Sequence, residues 1–355
     1  MNSRFEKKEN ALMFLKRQHE KTALLREFVS ILRTEKEFRD ILIYDGHVLD
    51  IDRAKIIHLD KRTIVQIPAK DNSFNIYAKI RLINRQMVND VDLIDKSKDE
   101  FHRLQFIWEN IKDSPIKNSI SQPLFCSKQK PILFFSECPG ENMEQYVNRK
   151  TLLQVEAELP LRLHLAGEWL GCFHSLFNKK TTYNEKNINT LKKEFSQSVH
   201  ILSKYLSRSL LNEATKCFND CIEVNKKNIV QGFIHKNYSL RNIMSNGKVM
   251  NIIDFEGAGD GLIYYDIGTI LSEIEMKARF SFHGKHLIDA LKSEFLEGYC
   301  KQYSIDIKLI PPFICYFMFR YIARSLTSYS GLTIEKINTL HKLRFVKKWI
   351  SNRFI

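Results

Sequence analysis

The stretch from Gly232 to Gly268, GFIHKNYSLRNIMSNGKVMNIIDFEGAGDGLIYYDIG, decides how the chain is read. HKNYSLRN places His235, Asn237 and Asn242 in one tight loop. NIIDFE then delivers Asp254 at the end of a short apolar run that reads as a strand. A side-chain amide oxygen and a carboxylate oxygen, one from the loop and one from the strand end, form a hard-oxygen pair suited to Mg²⁺. The histidine and asparagine spacing alone would be a weak signal, and Asp254 alone could simply cap a turn. Their joint spacing argues for a metal site.

Upstream, the hydrophobic period divides the chain. Residues 10–40 are rich in helix formers, with Leu12, Leu15, Leu24, Phe28, Ile31 and Leu32 among many charges, and predict one or two amphipathic helices in an N-terminal extension over 1–40. From Ile41 to Leu82, short apolar runs alternate with turn residues such as Asp45-Gly46, which predicts an antiparallel meander. A helix is expected over about Asp95 to Ile111, from the spacing of Phe101, Leu104, Ile107, Trp108 and Ile111, followed by a strand in PILFFSE that ends near Cys138-Pro139-Gly140. Beyond that break the chain reads as mostly helical, with short strands around Ile243 and Ile252. The expected plan is an α+β, two-lobed chain: a small antiparallel-sheet N-lobe over 41–137 and a larger, mostly helical C-lobe over 138–355 carrying the loop and metal site.

Phosphoryl transfer suits this set of residues, because it needs electrostatic positioning more than covalent help: a cation for phosphates, a carboxylate to hold that cation, metal ligands, and a group that orients the acceptor hydroxyl. Lys79, in IYAKI, is the candidate cation. Glu100 is the candidate carboxylate, with Glu109 its rival because the helix register is not fixed by sequence.

The segment Phe233 to Ile270 resembles the aminoglycoside phosphotransferase and choline kinase group, relatives of protein kinases, whose pattern is H-x-D-x-x-x-x-N followed by a strand and I-D-[FW]-[ED]. His235, Asn242, Ile253, Asp254, Phe255 and Glu256 match, as does the later GDGLIYYDIG with Asp266. YAKI with Lys79, KDEFHRL with Glu100, LFFSECPGENMEQYV and LAGEWLGCFHSL with His174 fit the family order. The resemblance implies a protein-kinase-like fold and an ATP-dependent phosphotransferase acting on a hydroxyl of a small molecule, sugar or glycan. By this likeness Asn242 and Asp254 ligate Mg²⁺ and Lys79, held by Glu100, contacts the phosphates of ATP. His235 and Asp266 brace the loop, and the backbone around Glu137, Cys138 and Gly140 meets adenine. Glu256 would ligate a second metal or contact the acceptor. Lys236 and Arg241 are loop cations that face solvent, a transferring phosphoryl group or an anionic acceptor.

Two departures stand out. No G-x-G-x-x-G is present to cover phosphates. More seriously, Asn237 occupies the position of the catalytic aspartate; an amide can orient a hydroxyl but is no practical base near neutral pH. Three readings are open: a nucleotide-binding pseudokinase or interaction module, an enzyme using another route, or an aspartate exchanged for asparagine to trap a complex. The retention of every neighbouring metal-site position, and the closeness in shape of Asn to Asp, favour the third.

Composition bounds the rest. The 355 residues are 44% hydrophobic and carry a formal charge of +14, which favours anionic partners and excludes a disordered chain. The seven cysteines are odd in number, show no C-x-x-C framework and follow a charged start, so a reducing cytoplasm is expected. LIPPFICYFMFRYIA, interrupted by Arg320, reads as a buried helix rather than a membrane span. The C-terminal LHKLRFVKKWISNRFI has five Lys or Arg residues and no acid. Its stripe of Leu340, Leu343, Val346, Ile350 and Phe354 is expected to pack on the C-lobe. Phe345 and Trp349 would then remain among cations, which keeps an anionic membrane surface in view as a peripheral partner. Nucleic acid is set aside, since only the net charge speaks for it.

Overall fold

The computed structural model describes residues 2–58, 62–84, 86–150, 158–177, 185–278, 284–328, 343–344 and 346–349. The chain forms two compact units, Met1–Cys138 and Pro139–Ile355.

The first unit opens with helix α1 (Asn2–Thr34) and the hairpin β1 (Ile43–Tyr44) and β2 (His47–Val48). Asp45 and Gly46 both take positive φ, 51° and 78°, the backbone that a two-residue hairpin turn of matching twist requires. A five-stranded antiparallel sheet follows, built from β3 (Lys55–His58), β4 (Arg62–Pro68), β5 (Asn75–Arg81), β6 (Pro123–Cys126) and β7 (Ile132–Ser136) in the order β3-β4-β5-β7-β6. Val65 and Ile67 of β4, Ile76, Ala78 and Ile80 of β5, and Phe134 of β7 form its buried core together with Leu24, Phe28 and Leu32 of α1. The period-two alternation of β5 turns Lys79 and Arg81 to the other face, which is also covered.

Helix α2 (Val91–Ile111) starts one turn earlier than its apolar period suggests, because the Asp90 carboxylate accepts the Leu93 N–H at 3.0 Å and caps it. Its buried stripe is Ile94, Ser97, Glu100, Leu104, Ile107 and Ile111. Glu100 therefore faces inward by register, whereas Glu109 is exposed.

In the second unit a three-stranded sheet, β11-β10-β8, joins β8 (Glu141–Asn142), β10 (Ile243–Ser245) and β11 (Met250–Ile252), while β9 (Gln231–Ile234) pairs with β12 (Gly259–Leu262). Gly140 leads into β8 with φ of 125°, and a Cβ there would lie 2.8 Å from the Ser245 backbone nitrogen, so the chain can turn against β10 only with glycine. The described helices are α3 (Met143–Lys150), α4 (Glu158–Phe177), α5 (Glu185–Leu202), α6 (Arg208–Asn225), α7 (Tyr264–Ala278), α8 (Gly284–Gln302) and α9 (Ile310–Ser328). α4 and α8 approach so closely that a Cβ on Gly167 would meet the Phe295 carbonyl at 1.9 Å. Under the loop of residues 235–242, Trp169 of α4 stacks on Tyr238 with ring centroids 5.8 Å apart. α9 is the buried helix read from sequence, with Pro311 and Pro312 in its first turn, where no intrahelical N–H donor is needed.

Leu343 and Val346 are buried, but so is Trp349, at 5% exposure, against the expectation that it stays among cations. Trp349 lies three residues after Val346, on the same helical face, and an amphipathic stripe is wide enough to include it. Leu340, Phe345, Ile350 and Phe354 lie outside the described residues. Among the described residues no helix is long and apolar enough to cross a membrane.

Candidate active site

In the first unit Lys79 Nζ donates to Glu100 Oε1 at 2.7 Å, and Arg81 Nη2 donates to Glu100 Oε2 at 2.7 Å. The three side chains are 6–8% exposed, so one carboxylate serves two cations out of reach of water. Arg81 was missed in the sequence, although its i+2 spacing from Lys79 places it on the same strand face. At the end of the sheet the Glu137 carboxylate accepts from Asn75 Nδ2 at 3.1 Å and from the Tyr77 hydroxyl at 3.4 Å. Burial, with Glu137 adding to it, pushes the Tyr77 phenol up to about 12. The Cys138 thiol is likewise pushed up to about 12 by burial and is no nucleophile at neutral pH.

The second unit holds the loop. His235 is fully buried, and burial pushes its imidazole below the ordinary value, so the ring is neutral. Its hydrogen bonds select the tautomer: Nε2–H donates to the Ile253 carbonyl at 3.0 Å, and Nδ1 accepts the Asn237 N–H at 3.3 Å. The Asp266 carboxylate accepts the His235 backbone N–H at 2.7 Å and faces His174 Nε2 at 3.2 Å. Behind it His174 Nδ1 meets the Tyr299 hydroxyl at 2.8 Å, a brace that the sequence reading did not include. Glu273 of α7 accepts the Leu240 N–H at 2.8 Å, and Asn142 Nδ2 donates to the Arg241 carbonyl at 2.6 Å while its Oδ1 caps α3.

Asn237 is half-buried, and its Oδ1 accepts from Arg241 Nη2 at 3.4 Å. Asn242 is buried, and its Nδ2 donates to the Asn237 carbonyl at 2.9 Å, which assigns the remaining face of that amide to its oxygen. The Asn242 carbonyl in turn accepts the Ile253 N–H at 3.0 Å. Ile253 thus ties both segments together, holding the residue before Asp254 between Asn242 and His235. Asp254 itself is left-handed, with φ of 65° and ψ of 57°, a conformation that non-glycine residues adopt sparingly and often at working sites. The donor set, one oriented amide oxygen and one carboxylate, fits a hard divalent cation such as Mg²⁺.

The profile of the phosphotransferase enzyme family matches residues 97–308, more than half of the chain, and the chain belongs to that family. Its fold is that of the protein-kinase-like small-molecule kinases. It is similar to an amicoumacin kinase solved with AMP-PNP, Ca²⁺ and amicoumacin, at 12% identity and TM-score 0.59, covering 92% of this chain and 96% of that one. A choline/ethanolamine kinase family protein from Mesorhizobium loti aligns at 10% identity and TM-score 0.56, covering 92% and 94%. An ADP-bound aminoglycoside phosphotransferase aligns at 14% identity and TM-score 0.50, covering 89% and 99%. Comparison with curated sequences gives no match.

Proposed function

We propose that the chain transfers the γ-phosphoryl group of ATP to a hydroxyl of a small molecule, sugar or glycan, with Mg²⁺ held by Asn242 and Asp254. The observation that carries this reading is the hydrogen-bond set around Ile253, which holds the two oxygen-bearing residues in adjoining segments beside Asn237. When bound, the cation neutralises charge on the phosphate oxygens. Lys79, fixed by Glu100 and flanked by Arg81, adds positive charge for the phosphates. The acceptor oxygen forms the new P–O bond as the bond from the γ-phosphorus to the bridging oxygen breaks and ADP leaves; the acceptor proton passes to water or to the departing phosphate oxygens. Asn237 Oδ1 orients the acceptor hydroxyl but does not take that proton, so turnover with the amide is slow. His235 and Asp266 position the loop and touch neither substrate.

A second reading, a nucleotide-binding protein that transfers nothing, is favoured by the amide at position 237 itself. Nucleotide binding is common to both and is tested first. ATP with Mg²⁺ should raise the melting temperature, with about 2.7 kcal/mol of added stability at a hundredfold excess over Kd. Asp254→Ala should abolish the Mg²⁺-dependent part of that shift; a shift that persists in full removes Asp254 from the metal site.

A further inference from the structure

We infer that Arg81 is a positioning residue for nucleotide binding: it keeps Glu100 in place, so that Lys79 can turn from the carboxylate to a phosphate oxygen. The inference deepens the kinase reading and rests on its assignment of Lys79 to the phosphates. Lys79 and Arg81 lie two residues apart on one face of β5, the middle strand of its sheet. Their register is fixed from both sides: Lys79 lies opposite Ile64 of β4 and Leu133 of β7, and the Arg81 N–H donates to the Pro131 carbonyl at 3.0 Å. Glu100 reaches this face from α2 with its two oxygens divided, Oε1 accepting from Lys79 Nζ and Oε2 from Arg81 Nη2, each at 2.7 Å. Because the cations use different oxygens, one can move without breaking the other's bond.

Chemistry and place decide which cation stays. A guanidinium is planar, rigid and always charged, whereas an ammonium on a flexible four-carbon stem turns its donors freely. Arg81 is therefore the fixed partner and Lys79 the mobile one. Position agrees with this. At the opposite end of β5, Asn75 donates to Glu137, beside which the adenine is expected. At about 3.3 Å per residue, Lys79 lies roughly 13 Å along the strand from Asn75, and Arg81 roughly 20 Å. A nucleotide with its base at the Glu137 end comes to Lys79 first. If Lys79 were the carboxylate's sole cation, its departure would strip a buried charge of its partner and oppose phosphate binding. With Arg81 on Oε2, the Glu100 carboxylate, 7% exposed, stays paired while Lys79 turns.

Two measurements on the full chain test this. In calorimetric titrations with AMP-PNP and Mg²⁺, below the unfolding temperature of every variant, Arg81→Met should weaken binding about 10-fold or more, and Arg81→Lys should keep part of the affinity. In a Glu100→Gln background, where the carboxylate it acts through is gone, Arg81→Met should change affinity by no more than about 2-fold. A merely structural role would lower Tm and leave the affinity of the folded protein alone, and a direct phosphate contact would cost the same in both backgrounds. Either result overturns the inference. The second measurement needs no variant: a crystal structure of the protein with AMP-PNP and Mg²⁺ should show Lys79 Nζ on a phosphate oxygen and Arg81 Nη2 still on Glu100 Oε2. Arg81 on the phosphate, or Glu100 keeping Lys79 and losing Arg81, overturns it as well. Neither readout needs turnover. The expected binding cycle without transfer by Asn237→Asp counts against the kinase reading alone, whereas an unaltered chain that does not bind AMP-PNP with Mg²⁺ removes both.

Discussion

Glu100→Gln is the sharpest test of how the first unit holds its cations. The substitution keeps shape and volume but removes the charge that Lys79 and Arg81 share at 2.7 Å each, in a place where all three side chains are at most 8% exposed. Removing the charged partner from a buried ion pair costs about 3–5 kcal/mol. For a unit the size of Met1–Cys138 this corresponds to a fall in Tm of roughly 10–20 °C. Urea unfolding followed by circular dichroism gives the free energy, and calorimetry gives Tm. The double variant Glu100→Gln with Arg81→Met should recover part of the loss, since one of the two cations that Glu100 serves is gone, and a double-mutant cycle isolates that coupling. A cost for Glu100→Gln below about 1 kcal/mol, the value of an exposed pair, would refute the claim of a dry two-cation lock.

Stability should also respond to pH through His235. Because burial lowers its folded-state pKa, the unfolded chain binds this proton more readily, so stability is fully present above the unfolded value of about 6.5 and falls as pH drops below it, by up to about 1.4 kcal/mol per pH unit. Urea midpoints at pH 7.5 and 5.5 check this, and His235→Asn should flatten the difference; an unchanged slope contradicts it. At the C-terminus, Trp349→Ser should destabilise by about 3–5 kcal/mol, because the indole is buried, and should not selectively weaken binding to anionic vesicles. A folded, stable Trp349→Ser protein that has lost vesicle binding would reverse that assignment.

Much of this was legible because chain-local rules fix it. The strands β4 and β5, the Asp45-Gly46 turn and α9 follow from period and turn chemistry, and the loop from the spacing of His235, Asn242 and Asp254. What stayed hidden depends on partners far apart in sequence. The choice of Glu100 over Glu109 needed the helix register, which Asp90 sets from outside the apolar pattern. The brace from Tyr299 to His174 spans 125 residues, and the bond from Asn142 to Arg241 spans 99. Strands β8, β9 and β12 are too short to show a period, and they exist because each pairs with a distant segment. Trp349 was misplaced because the stripe beside it was drawn too narrow.

The phosphoryl-transfer site proposed around Asn237 lacks only a carboxylate at that position. Asn237→Asp restores the group that accepts the acceptor proton without changing side-chain length, and it leaves Asn242 and Asp254 as they are. Transfer of the γ-phosphoryl group of ATP to a panel of sugars, sugar phosphates, amino alcohols and glycans should rise by about 10²–10⁴-fold with the right acceptor, with nucleotide affinity nearly unchanged. Adding Asp254→Ala to the same protein should abolish the gain. If Asn237→Asp binds ATP and Mg²⁺ yet transfers phosphate to nothing in the panel, the chain is a nucleotide-binding module and the account is wrong.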